Sequence, residues 1–416
     1  MSLIGRQIGK DSVSMQLITN QDELNTACGL LAEAPYITID TEFIRERTYW
    51  PKLCLLQLAR ACGDWGNEVV YLIDPLADID LAPVFSLMAD ETTLKVFHAA
   101  RQDIEIFVNL AGAVPTPIFD TQVAAMVCGY GDQVGYETLV KRIAKAQLDK
   151  SSRFTDWSRR PLSSKQLTYA AGDVTHLRMV YESLRDQLAK SGRASWVDAE
   201  MAVLRSVDTY VVMPDDAWRR VKTRSNDPRF LAVVKSLAKW REEEAQKRDV
   251  PRGRILKDDA VLEVAANKPK TREQLLASRS LQREGRKPEV CDAILAAVAA
   301  GEAAPPEQPI NSPRQHMRPK PGAQALSDLL KVLLKAKADD LGVAQRLIAS
   351  SSELEDLAQG LREDAKALEG WRNEAFGADA LRLINGEIAL SAGPNGVRII
   401  DTSIIDASGG EHAAAG

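Results

Sequence analysis

Nowhere in this 416-residue chain does a window approach the roughly 18 consecutive apolar residues that a membrane-spanning helix needs, so no membrane association is expected. The opening residues, MSLIGRQIGKDSVSMQL, lack the apolar core of a signal peptide, and the expected location is cytoplasmic. Cysteine is scarce. Five residues, at 28, 54, 62, 128 and 291, make an odd, widely spaced set with no CxxC pair. That pattern indicates neither a disulfide framework nor a thiolate zinc site, leaving reduced and mostly buried thiols as the expectation. An excess of positive charge is also missing, since the net charge is −5.

What is present divides unevenly along the chain. The composition, 45% hydrophobic and 27% charged, is that of an ordinary globular protein, and the length implies two to four domains. Residues 1–217 carry 21 Lys and Arg against 29 Asp and Glu, a net of −8. Residues 218–292 carry 20 against 12, a net of +8, and residues 293–416 return to −5. A basic block between two acidic ones points to one module gripping a polyanion while another does chemistry with carboxylates.

The first third alternates strand-sized runs, YITID (36–40), LCLLQLA (53–59), VVYLID (69–74) and KVFHA (95–99), with helical patterns near 101–111, 120–129, 136–146 and 163–190. This mixture predicts an α/β domain ending near residue 215. From about 218 the strands stop, and a near-3.6 apolar period over 231–248 opens a helical region. The segment 301–322 holds six prolines without an apolar period and is expected to be an extended linker. A second helical module follows to about 385, then NGEIALSAGPNGVRII reads as a hairpin around a Pro-Asn-Gly turn. The tail ASGGEHAAAG is expected to be disordered.

Three short patterns carry chemistry. In YITIDTEF, residues two apart share a strand face, so Thr38, Asp40 and Glu42 point one way and Ile37 and Ile39 the other. Two carboxylates at the end of an apolar strand repel each other, and a divalent cation relieves that repulsion. In KVFHAARQDIEIF, Asp103 falls in the first turns of a helix five residues after His98. Glu105 lies off its face. In SSKQLTYAAGDVTHLRMVY, Ser163 and Gln166 form a capping box, and Tyr169 and Asp173 share a face at i, i+4. Gly172 costs that helix about 1 kcal/mol relative to alanine, which fits a close approach of something to the backbone. Singly, each pattern is ordinary: a solvated strand end, a helix-start acid, an amphipathic helix with a core tyrosine.

Together, in this order and spacing, they resemble the DEDD exonuclease superfamily in its tyrosine subclass. The resemblance extends to IDTEFIRERTYWPKLCLLQLA, PIFDTQVAAMVCGYG, LDKSSRFTDWSRRPLSSKQLTYAAGDV and DDAWRRVK, which look like the ribonuclease D family over nearly all of 15–220. DPRFLAVVKSLAKWREEEAQKRDVPRGRILKD resembles the helicase-and-ribonuclease-D C-terminal (HRDC) domain. The implied fold is an α/β ribonuclease H-like exonuclease domain followed by two all-α helical HRDC-type domains. The implied division is an N-terminal extension at 1–14, the exonuclease domain at 15–217, a first HRDC domain at 218–300 and the Pro-rich linker at 301–322. A second HRDC-like domain with the hairpin takes 323–401, and a disordered tail takes 402–416.

By that resemblance Asp40, Glu42, Asp103 and Asp173 hold two divalent cations, Mg²⁺ or Mn²⁺, which suit an all-oxygen site. Tyr169 orients the attacking water rather than acting as a bulk base. Thr41 and Phe43 contact the terminal nucleotide, Phe43 by stacking, while Arg45, Arg47, His98 and Gln102 are further candidates for strand contacts. The implied reaction is metal-dependent 3′–5′ hydrolysis of RNA, one nucleotide at a time, by a monomer acting on tRNA precursors. Two other readings stand beside it: a DNA exonuclease of the Werner-syndrome-helicase type, disfavoured by the helical modules, and an inactive nucleic-acid-binding protein, disfavoured because every acidic ligand is present.

Overall fold

The computed structural model describes residues 4–5, 14–60, 69–149, 152, 154–281, 283–308, 320–394 and 396–403. Residues 14–120 build a mixed sheet from strands β2 (Ser14–Ile18), β3 (Tyr36–Ile44), β4 (Lys52–Arg60), β5 (Val69–Ile73), β6 (Leu94–Phe97) and β7 (Ile118–Asp120), with β1 (Ile4–Gly5) added at one edge. The order across the sheet is β1-β2-β5-β4-β3-β6-β7. β4 runs antiparallel to both β3 and β5, while β2 pairs with β5 and β3 with β6 in parallel. β3 runs four residues beyond the strand read from sequence because its partner β4 continues beside it to Lys52.

Alternation assigns the two faces. Ile37 and Ile39 of β3, Leu56 and Leu58 of β4, and Tyr71 and Ile73 of β5 bury against the helices Gln21–Ala32 and Arg101–Ala111. On the other face Leu55, Ala59, Val70 and Leu72 pack against Trp157, Leu162, Ala170, Ala171 and Val174. Between Glu42 and Phe43 the β3–β4 register shifts: Glu42 faces Leu55 and Phe43 faces Leu53, leaving Cys54 as the extra residue of a β-bulge. Because of it, Leu53 joins the same core as Leu56 and Leu58 although its number has the other parity.

The helical region has a core of its own, formed by Trp218, Leu231, Val234, Leu237, Leu256, Val261, Leu275 and Ile294 among others. Its longest helix, Pro228–Arg248, is capped by Asp227, whose side chain accepts from the Arg229 N–H. The helix Pro288–Ala303 crosses it closely: a Cβ on Gly301 would lie 2.6 Å from Val233 Cα. The segment expected to start an extended linker at 301 is therefore helical to Ala303. The chain beyond stays docked, with the Glu307 N–H donating to Pro228 O and its carboxylate pairing with Lys235 at 2.6 Å. Residues 309–319 of that segment, most of the extension at 1–14, Cys62 and the tail from 404 lie outside the described residues.

By contacts the chain forms two compact units interleaved in sequence. One holds residues 1–119, 148–178 and 202–311; the other holds 120–147, 179–201 and 312–416. The expected helix at 136–146 becomes a short α-helix, Tyr136–Leu139, then a π turn, Val140–Ala144, which ends where Lys145 takes a left-handed φ of 53°. In the second unit Trp196 and Trp371 stack at 4.4 Å, and Arg372 pairs with Glu200 at 2.5 Å. The hairpin read at the C-terminal end is present as β8 (Ile388–Gly393) and β9 (Gly396–Asp401), paired from Ile388↔Asp401 to Gly393↔Gly396. Cys28, Cys54 and Cys291 are buried and Cys128 half-buried, all as free thiols.

Candidate active site

The site is assembled where the far end of β3 meets the start of the helix Ser164–Ser191. That helix begins in the expected capping box: the Ser163 N–H donates to Gln166 Oε1, and the Gln166 N–H donates to Ser163 Oγ. Just before it, Arg160 donates two 2.6 Å bonds to the buried Asp74 carboxylate, and others to the carbonyls of Cys54, Trp157 and Arg159. This clamp fixes the helix start against the bulge in β4. Further along, Thr38 Oγ1 donates to Val174 O at 2.8 Å, tying strand to helix one residue past Asp173. The 3.6-residue period then aims Tyr169 and Asp173 back at the face carrying Asp40 and Glu42.

The result is a cluster in which carboxylate oxygens of Asp40, Glu42 and Asp173 all lie within 4.8 Å of one another. Burial first, and the neighbouring Asp173 carboxylate second, hold the Asp40 carboxyl well above the usual carboxylate range. The Tyr169 hydroxyl is pushed far up for the same reasons: burial leads, followed by the charges of Asp173, Glu42 and Asp40. Its ring leans on Trp157 at 6.0 Å between centroids. A hard divalent cation fits this donor set, which is all oxygen, and would relieve repulsion that the protein otherwise carries.

Asp103 stands apart from those three. It is the buried third residue of the helix Arg101–Ala111, and one of its oxygens accepts from Thr41 Oγ1 at 2.5 Å. The chain reaches that helix through Ala99, whose left-handed φ of 57° turns it sharply out of β6. Glu105 forms two bonds to Arg45, at 2.6 and 2.8 Å, instead of facing the cluster. Phe43 is half-buried against the core, His98 is half-buried at the end of β6, and Gln102 and Arg47 are exposed.

Two features were not anticipated. A Cβ on Gly172 would meet only Leu148 Cδ2, at 4.0 Å, so no described protein atom makes the close approach that the glycine was expected to serve. Gln57, directly opposite Asp40 in the antiparallel register, is fully buried with neither polar side-chain atom hydrogen-bonded among the described residues. Its signal was visible as the one polar residue in the run LCLLQLA.

Comparison with known proteins places these elements. The family model for 3′–5′ exonucleases matches residues 15–189, and that for the HRDC domain matches residues 230–298. Ribonuclease D of Jannaschia sp. is 54% identical over 389 residues, 92% of this chain and 99% of that one. Ribonuclease D of Granulibacter bethesdensis is 48% identical over 406 residues, 96% and 100% of the two chains. The crystal structure of Escherichia coli RNase D, described as an exoribonuclease involved in structured RNA processing, superposes with a TM-score of 0.76 at 30% identity. That superposition covers 89% of this chain and 99% of that one.

Proposed function

Because this chain belongs to the ribonuclease D family of 3′–5′ exoribonucleases, we propose that Asp40, Glu42 and Asp173, with Asp103 as fourth ligand, hold two divalent cations, Mg²⁺ or Mn²⁺. The observation that carries this reading is the convergence of three carboxylates from β3 and one helix within 4.8 Å. When bound, such ions clamp the scissile phosphate and offset charge on the attacking and leaving oxygens. The protein's own contribution is placement. Tyr169, whose hydroxyl is pushed up in the metal-free site by burial and by the neighbouring carboxylates, donates a hydrogen bond that orients the attacking water. Thr41, Phe43, Arg45, His98 and Gln102 contact the last nucleotides of the strand.

The acidic balance of residues 1–217 is then the requirement of a cation site. The basic block at 218–292 supplies attraction for the RNA backbone by displacing its counterions. The linear division into an exonuclease domain at 15–217, a first HRDC domain at 218–300 and a second HRDC-like module at 323–401 is part of the same reading. So are a cytoplasmic monomer and precursor tRNA as the substrate. The deciding experiment uses 5′-labelled tRNA with an extended 3′ tail, incubated with Mg²⁺, Mn²⁺ or EDTA. A one-nucleotide ladder that appears only with metal supports the proposal. Equal degradation of a DNA strand of the same sequence would assign the activity to DNA as well.

A further inference from the structure

Resting on that reading, we propose a second RNA-binding subsite: a cavity of about 430 Å³ that takes a nucleotide upstream of the one being removed. It lies between the β3–β4 loop and the helical region, within one compact unit. Arg45, Arg101, Arg220 and Arg252 contribute four positive charges to its lining against two negative ones from Glu105 and Glu242. Arg45 and Arg101 are already engaged, by Glu105 and by Thr209 O. Arg220 and Arg252 have no carboxylate partner among the described residues, so both stand ready for an anion. A guanidinium is well matched to a phosphodiester in charge and in its forked donors.

The cavity also asks for hydrogen bonds. Glu242 is fully buried, with Oε1 accepting from the Tyr49 hydroxyl at 2.5 Å, yet its Oε2 has no hydrogen-bond partner among the described residues. Thr48 Oγ1, also on the lining, is likewise buried without one. A ligand carrying negative charge and hydroxyl or amino donors satisfies both demands, and a ribonucleotide within a strand does so.

An aromatic surface is held in place beside these groups. The Tyr49 and Trp50 N–H groups both donate to Asp249 Oδ1, at 2.9 and 3.0 Å, and Gln246 donates to the Tyr49 hydroxyl. Trp50 packs edge-on to Tyr49 at 4.7 Å but remains 36% exposed. An exposed indole braced in this way is a stacking platform for a base. The position fits the path of a strand. Arg45 lies three residues after Glu42, just past the end of β3 and at most about 10 Å away along an extended chain, and Arg101 and Glu105 lie two residues either side of Asp103 in the sequence of its helix. An RNA whose 3′ nucleotide lies at the carboxylates would lead its preceding nucleotides past this cavity.

The test is hydrolysis in Mg²⁺ of two- and eight-nucleotide RNAs by the full chain, its Arg220→Ala/Arg252→Ala double variant and Trp50→Ala. Wild type is expected to favour the longer RNA in kcat/KM. The double variant should lose that advantage by about tenfold per contact removed, and its log–log salt slope should fall by roughly 1.4, two single-strand contacts at about 0.7 each. Trp50→Ala should lose length preference without a change in salt slope. Wild-type hydrolysis of neither RNA would overturn the proposed function. Normal wild-type hydrolysis, with the same length preference and salt slope in both variants, would overturn the subsite alone.

Discussion

Replacing Asp40 by asparagine is expected to make the metal-free protein more stable while abolishing its activity. The side chain keeps its shape and loses its charge in a group where three carboxylates lie within 4.8 Å of one another. At an effective dielectric constant near 20, two unit charges at that separation repel by about 3.5 kcal/mol. Part of this is already relieved, because the Asp40 carboxyl is raised well above its usual range and retains its proton to higher pH. A folded pKa above the unfolded one means stability that is full below the unfolded value and falls as pH rises through the folded one. The gain from Asp40→Asn should therefore be absent in acid and reach about 1–3 kcal/mol at alkaline pH, once the wild-type cluster is fully charged. Thermal unfolding in EDTA across pH would display it as a melting point that rises by about 1–2 °C per kcal/mol for a protein of this size. Mg²⁺ should reverse the order, raising the wild-type melting point by mass action and the variant's much less. Equal stability of the two proteins in EDTA at pH 9, together with equal Mg²⁺ shifts, would refute both the repulsion argument and the ligand assignment.

Tyr169→Phe should lower kcat with little change in RNA affinity, by less than the loss of any carboxylate; an unchanged single-turnover rate would remove the hydroxyl from the mechanism. Arg160→Ala should destabilise by about 3–5 kcal/mol, because it leaves the buried Asp74 carboxylate unpaired; a shift below 1 kcal/mol in denaturant titration would show that the clamp is idle. Gly172→Ala should stabilise the helix by up to about 1 kcal/mol, since the methyl meets only Leu148; reduced RNA affinity in that variant would instead identify the substrate as what approaches the backbone. Gln57→Met should raise stability by about 1–2 kcal/mol by removing two unbonded polar atoms; destabilisation would mean that the amide has a partner in solution.

The parts legible from sequence were those governed by short-range periodicity. The period of two in YITIDTEF put Asp40 and Glu42 on one face, where they meet Asp173, and the 3.6 period put Tyr169 and Asp173 on one side of their helix. The capping box at Ser163 and the hairpin at 388–401 rest on equally local rules. What could not be read depends on contacts between distant segments. The Arg160–Asp74 pair joins residues 86 apart, and the Tyr49–Glu242 bond joins residues 193 apart. Asp103 was placed correctly on its helix, but its bond to Thr41 depends on how that helix packs on β3, which no local pattern encodes. The docking of Glu307 on Pro228 likewise ended the expected linker early, since six prolines advertise an extended chain but not what it lies against.

The bulge at Cys54 separates two kinds of tolerance to change in chain length. Up to Glu42, one inserted or deleted residue would swap the two sides of β3, sending Asp40 and Glu42 into the space of Ile37 and Ile39. A frame error there would cost the core and the chemistry together, so unfolding would expose the same lesion that inactivates. Past the bulge, β4 has already absorbed one unmatched residue, and Phe43↔Leu53 restarts the pairing in a new frame. The stretch from Arg45 to Trp50 is thereby uncoupled from the parity that guards the carboxylates. Relatives could lengthen or shorten that loop, and so redraw the contacts it offers to RNA, without disturbing the strand that carries Asp40 and Glu42.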